Sequence, residues 1–104
     1  MEIKAKEVSD LLKVIANVNR LMILCILEDG ELSVTELHEK INDISMPALS
    51  QHLSVLKLAG IIDSEKKGLN VYYKIIDFRA IELIKVLKKL YKGIDDSNLI
   101  LKIL

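Results

Sequence analysis

At Gly60 the hydrophobic period of this chain changes, and that change limits its fold to a few architectures. Upstream, apolar residues recur at helical spacing; downstream, β-branched and aromatic residues crowd into two short runs. Ile61-Ile62-Asp63-Ser64-Glu65-Lys66 and Asn70-Val71-Tyr72-Tyr73-Lys74-Ile75-Ile76 read as strands, with Lys67-Gly68-Leu69 as the hairpin turn between them. Just ahead of Gly60 a helix runs from Met46 through Leu49, Leu53 and Leu56. Ser45 is its expected N-cap, and Pro47 falls in its first turn, where a missing N–H would be unbonded anyway. Before it, Ser33-Val34-Thr35-Glu36 has the spacing of a capping box and opens a short helix carrying Val34, Leu37 and Ile41 inward. Asn42-Asp43 is the turn between the two helices.

The remaining pattern is helical. Val8, Leu11, Leu12 and Ile15 set a first helix from Ala5 to Ile15. Asn17 caps a second, which turns Leu21, Leu24, Ile26 and Leu27 inward and ends at Asp29-Gly30. Asp77 caps a last helix with a stripe of Ile81, Ile84, Leu87, Leu90 and Tyr91, closed by Gly93. The tail from Asn98 is too apolar for a solvated end. With 104 residues, 51% of them hydrophobic, the chain has material for one domain (1–104) around one core. At 4% aromatic content that core must be aliphatic. The expected fold is mainly α with a β-hairpin, in the order α-α-α-α-β-β-α. Two short helices across a tight turn, followed at once by a hairpin, form a winged helix-turn-helix.

At about 100° per residue, Leu49, Leu53 and Leu56 share one side of the helix before Gly60, flanked by His52 and Ala59. Pro47, Ser50, Gln51 and Ser54 share the other, with Lys57 at its edge, and no acid occurs between Ile44 and Ala59. An ordinary surface helix carries Glu and Lys there. A duplex groove favours short polar groups and a Gln, which can bond adenine bidentately, without carboxylates that repel phosphate. The net charge is zero, from 15 basic and 15 acidic residues, yet the acids concentrate between Glu28 and Asp43. What acts on a phosphate backbone is the local field. Ser45, Pro47, Ser50, Gln51, Ser54 and Lys57 are the expected DNA-facing residues, and Lys66 and Lys67 at the hairpin tip the expected phosphate contacts.

Other classes have less support. No Gly-rich phosphate loop, Ser/His/Asp set or cleft-forming carboxylate pair occurs, so an enzyme is not expected. The alternative is a winged helix used for protein–protein contact without DNA, since fold does not fix function. The one cysteine, Cys25, cannot form an internal disulfide. No signal-peptide pattern opens the chain, and no apolar run reaches the roughly 20 residues of a membrane span. The expected compartment is the cytoplasm, with no membrane partner.

Four segments carry a resemblance: Asn19-Arg20-Leu21-Met22-Ile23-Leu24, Gly30 to Leu37, Ser50 to Ile62 with its Ser50-Gln51-His52-Leu53 core, and Val71-Tyr72-Tyr73. In order and spacing, from about Leu11 to Tyr91, the chain resembles the ArsR/SmtB family of bacterial repressors. The resemblance implies a homodimer held by the first and last helices that binds an inverted repeat in double-stranded DNA and releases it to an inducer. Leu11, Ile84, Leu87 and Tyr91 are the expected dimer contacts. The family's metal sites are not expected, and neither is a cofactor. Ser33 and Thr35 stand where thiolates would be needed, and Arg79, Lys88, Lys89 and Lys92 supply cations near the last helix's ligand positions. The likeness is closest to the redox- and persulfide-responsive branch, which has a cysteine at the place of Cys25 and a second one missing here. Cys25 is thus the one possible thiol sensor, although a lone cysteine among Ile23, Leu24, Ile26 and Leu27 also suits plain packing. His38 is expected on an exposed face, and His52 in a packing and hydrogen-bonding role.

Overall fold

Helix α2 (Val18–Leu27) forms the middle of the fold because its sequence leaves it no polar face. Every residue from Met22 to Leu27 is buried. The computed structural model describes residues 2–41 and 43–94, with side chains from residue 4 onward. Packed against α2 are α1 (Glu2–Ile15), α3 (Val34–Lys40), α4 (Met46–Leu58), β3 (Asn70–Ile75) and α5 (Phe78–Leu90). Asn17 caps α2 as expected, its side-chain oxygen accepting from the N–H groups of Asn19 at 3.0 Å and Arg20 at 3.1 Å. α1 starts earlier than the apolar spacing alone predicts, at Glu2 rather than Ala5. The core is aliphatic: Ile23, Leu24, Leu37, Leu49, Leu53, Leu56, Ile61, Ile62 and Ile84 are its largest wholly buried side chains, with Cys25 among them. Burying each Leu or Ile contributes about 1.5–3 kcal/mol.

The hairpin is present with one correction and one addition. β2 (Ile62–Lys67) pairs with β3 antiparallel, from Ile62 opposite Ile75 to Lys67 opposite Asn70. Lys67 therefore belongs to the strand, and the turn is Gly68-Leu69, with Gly68 at φ 63°. A glycine at the first central position of a two-residue turn tolerates that value, which an L side chain resists. The addition is a third strand. β1 (Leu32–Ser33) pairs with the other edge of β3, Leu32 opposite Tyr73 and Ser33 opposite Tyr72, giving the order β1-β3-β2. Two residues show no period, so only the partner strand reveals them. Ser33 also closes the capping box of α3: its Oγ accepts from Glu36 N–H at 3.1 Å, and its own N–H donates to the Glu36 carboxylate at 3.0 Å. The Ser33 N–H bonded to the carboxylate, and after it the Ser33 hydroxyl beside it, hold the Glu36 carboxyl below its ordinary pKa.

α5 begins at its expected cap, Asp77, whose carboxylate accepts from Arg79 N–H at 2.8 Å. The stripe on α5 divides. Ile84 and Ala80 are fully buried in the chain's own core, and Ile81 and Leu87 pack partly against it. Leu90 and Tyr91 are exposed. Ile84, expected at a dimer contact, thus faces inward, because α2 lies beneath that side of the helix. The apolar tail from Asn98 and the turn residue Asn42 lie outside the described residues. No helix among the described residues is long and apolar enough to cross a membrane.

Candidate nucleic-acid interface

α4 and the hairpin form one surface, built from local signals. Ser45 caps α4, its Oγ accepting from Ala48 N–H at 3.2 Å. Pro47 sits in the first turn, where no helical N–H is missed. Ahead of the cap, the chain reverses at Asp43 with φ 59°, a left-handed conformation that Asp tolerates better than most residues. His38 stabilises this turn. Its Nε2 donates to the Ile44 carbonyl at 2.9 Å, so it is half-buried and tied down rather than on an open face. The carbonyl can only accept, which puts the proton on Nε2.

Leu49, Leu53 and Leu56 are buried, and Ser45, Pro47, Ser50, Gln51, Ser54 and Lys57 are exposed, as the helical wheel requires. α4 therefore presents a polar, carboxylate-free face to solvent. At its far end Lys57 Nζ donates to Ser64 Oγ of β2 at 2.7 Å, joining helix to hairpin through a neutral partner. Lys66 is exposed on the same face of the hairpin as Ser64 and Val71, two residues along and directly opposite. Lys67 points to the other face. Its Nζ donates to Glu31 Oε1 at 2.6 Å and lies 5.3 Å from the centre of the Tyr72 ring. The expected pair of phosphate-seeking lysines is therefore split, with Lys66 exposed and, among the described residues, Lys67 engaged by Glu31.

Arg20 links α1, α2 and α4. Its Nε donates to the Val14 carbonyl near the end of α1 at 2.6 Å, and its Nη1 approaches His52 Nδ1 of α4 at 3.5 Å. Burial, and then the Arg20 charge, push the His52 imidazole below its ordinary pKa. An unfolded chain takes up that proton first, near about 6.5, while the folded imidazole still resists it. Stability should therefore fall as the pH drops from about 6.5 through the lowered folded value, and this contribution should then level off. Melting curves of the wild type and His52→Gln across that window would show it. If both melt with the same acid dependence, His52 does not contribute.

Ser64, Arg20 and Glu31 are partners that sequence reading did not assign. They lie 7, 32 and 36 residues from the side chains they hold, and no local spacing signals such contacts. The hydroxyl of Ser33 is used in capping, and Arg79 pairs with Asp77 at 3.1 Å and Glu7 at 3.6 Å. Among the described residues no group of three His, Cys, Asp or Glu side chains is arranged to hold a metal ion.

Comparison with known proteins shows the family of the chain. The family model described as bacterial regulatory protein, arsR family, matches residues 17–64, from the cap of α2 into β2. The chain is 43% identical to the biofilm growth-associated repressor of Agrobacterium fabrum, over 88% of this chain and 77% of that protein. It is similar to HlyU of Vibrio cholerae, named a transcriptional activator. The reduced HlyU structure superposes with a TM-score of 0.84 at 39% identity, covering 88% of this chain and 96% of that one. The transcriptional repressor BigR of Xylella fastidiosa superposes with a TM-score of 0.82 at 37% identity, covering 88% and 92%. The chain belongs to the ArsR family of bacterial regulatory proteins, transcriptional regulators on the winged-helix DNA-binding fold.

Proposed function

We propose that this chain is a homodimeric repressor that binds an inverted repeat in double-stranded DNA and leaves it on a cellular signal. The observation that carries the reading is the outward face of α4. Ser50, Gln51 and Ser54 are exposed there, Lys57 stands at the edge, and no carboxylate lies between Ile44 and Ala59. Base edges would meet Gln51 and Ser54, and backbone phosphates Lys57 and Lys66. Ser45 and Pro47 would bring the start of α4 to the groove, as the N-terminal residues of a recognition helix do. The reading assigns the chain no chemical step and no cofactor, and its place of work is the cytoplasm, with the DNA.

The dimer reading rests on apolar side chains left uncovered. Val8 and Leu12 of α1 are 53% and 46% exposed, on a shallow surface shared with Ala5, Ser9 and Ala16. Val86, Leu90 and Tyr91 at the end of α5 are also exposed. Leu11 and Leu87 pack partly on the core of the same chain, where Ile84 is fully buried, and would add only their exposed parts to the contact. A second copy would cover both patches, and two copies of α4 would meet two half-sites about one helical turn apart. The names repressor and activator both occur among the relatives. Repression is the simpler outcome for a chain whose described residues hold little beyond a DNA face and dimer faces. Cys25 is wholly buried on α2 and in this reading serves packing rather than sensing.

A duplex titration across salt concentrations tests the DNA reading against a protein-only winged helix. Log affinity should fall linearly with log salt, by about 0.9 per phosphate neutralised. Replacing Lys57 and Lys66 together by Ala should flatten that slope by about 2 units on specific and random DNA alike. A duplex affinity indifferent to salt would favour the protein-contact reading.

A further inference from the structure

The two lysines at the wing lie on opposite faces of the hairpin. Lys66 shares its face with Ser64 and, through Ser64, with Lys57 of α4. Lys67 lies on the outer face, over the ring of Tyr72, with its ammonium on the carboxylate of Glu31 just before β1. The hydrogen bond from Lys67 to Glu31 is the main cause holding the Lys67 pKa above its ordinary value, so the ammonium stays charged while its charge is already answered. Both partners remain in contact with water, their side chains 48% and 32% exposed. Such a pair is screened by salt and is readily exchanged for another anion. Lys67 also adjoins the Gly68-Leu69 turn, so its four-carbon stem can swing from the outer face toward the tip.

We infer that Glu31 is an internal competitor for the phosphate that Lys67 would otherwise hold, so that the wing reaches DNA with one cation open and a second in reserve. This rests on the DNA-binding reading above. A carboxylate and a phosphate oxygen make the same charge-assisted bond to an ammonium. Binding a duplex through Lys67 therefore exchanges one anion for another, releases fewer counterions and gains less affinity. Glu31 lowers the affinity of the wing without touching DNA, and it stands on a different element, next to the start of α3. Any movement that separates β1 from the hairpin would free Lys67 and tighten binding.

The test is a double-mutant cycle of E31Q and K67M, read as affinity and salt slope on a mixed-sequence duplex of about three helical turns. E31Q should raise duplex affinity about two- to five-fold at moderate salt and steepen the slope by about 1 unit, as one more phosphate is neutralised. In the K67M background the same E31Q change should lose that gain, because the competitor no longer has anything to hold. An equal gain in both backgrounds would mean that Glu31 only repels DNA through its field, which overturns the inference, and so would no gain in either. Wild-type protein with no affinity for the duplex would instead remove the DNA-binding reading itself, an outcome distinct from the other two. Circular dichroism should show all four proteins equally folded, since Glu31 and Lys67 are exposed.

Discussion

Replacing Val8 and Leu90 together by Glu should give a folded monomer that has lost operator affinity on the order of a hundred- to ten-thousand-fold. Both side chains are more than half exposed, so charging them does not open the chain's own core. In a dimer they would be buried, and burying an unpaired carboxylate is costly enough to separate the copies. A dimer's second half-site contact is an intramolecular event at high effective concentration; for a monomer it is a fresh encounter, which is where the large factor comes from. Sedimentation and operator titration on the same samples would read both effects. Binding to a single half-site should change little. A variant that stays dimeric at micromolar concentration would put the interface elsewhere. Leu87→Glu, the change the sequence stripe points to, would be a poorer probe, since Leu87 packs partly against the core and its loss mixes folding with assembly.

Gln51→Ala should cost about 1–3 kcal/mol on the operator, or about five- to a hundred-and-fifty-fold, and little on random DNA. Gln51 is exposed in the middle of α4, and Ala is the better helix former, so the scaffold should be unharmed. A bidentate amide reads one base pair, and losing it removes discrimination rather than general attraction. Competition between operator and random duplex would measure the difference directly. Equal losses on both would show that Gln51 does not read sequence.

What is legible in the sequence follows one physical rule. The caps at Asn17, Ser33, Ser45 and Asp77 all formed, because each is a bond to a backbone N–H two or three residues on. The inward stripe of α4 was legible because helical period and burial coincide on a helix packed along one side. The winged helix-turn-helix followed from the order of those elements. The apolar stripe on α5 was only half legible. Periodicity placed Ile84, Leu87, Leu90 and Tyr91 near one another but could not say which would be taken by α2 and which left open. The wing lysines part for a similar reason. Their being neighbours in sequence suggested one function, while alternation along a strand sends neighbours to opposite faces.

By itself, then, the sequence determined what depends on near neighbours: helix starts and stops, the change of period at Gly60, the acid-free face of α4 and the family likeness. The tertiary structure decided what depends on residues far along the chain. It added β1 to the free edge of β3, placed Arg20 between the end of α1 and His52, buried Ile84, and brought Glu31 to Lys67 across 36 residues. Hydrogen bonds within a turn and the periods of helix and strand are set by local geometry, so they can be read from spacing. Contacts between distant segments exist only once the core has fixed where each element lies, and no local pattern encodes them.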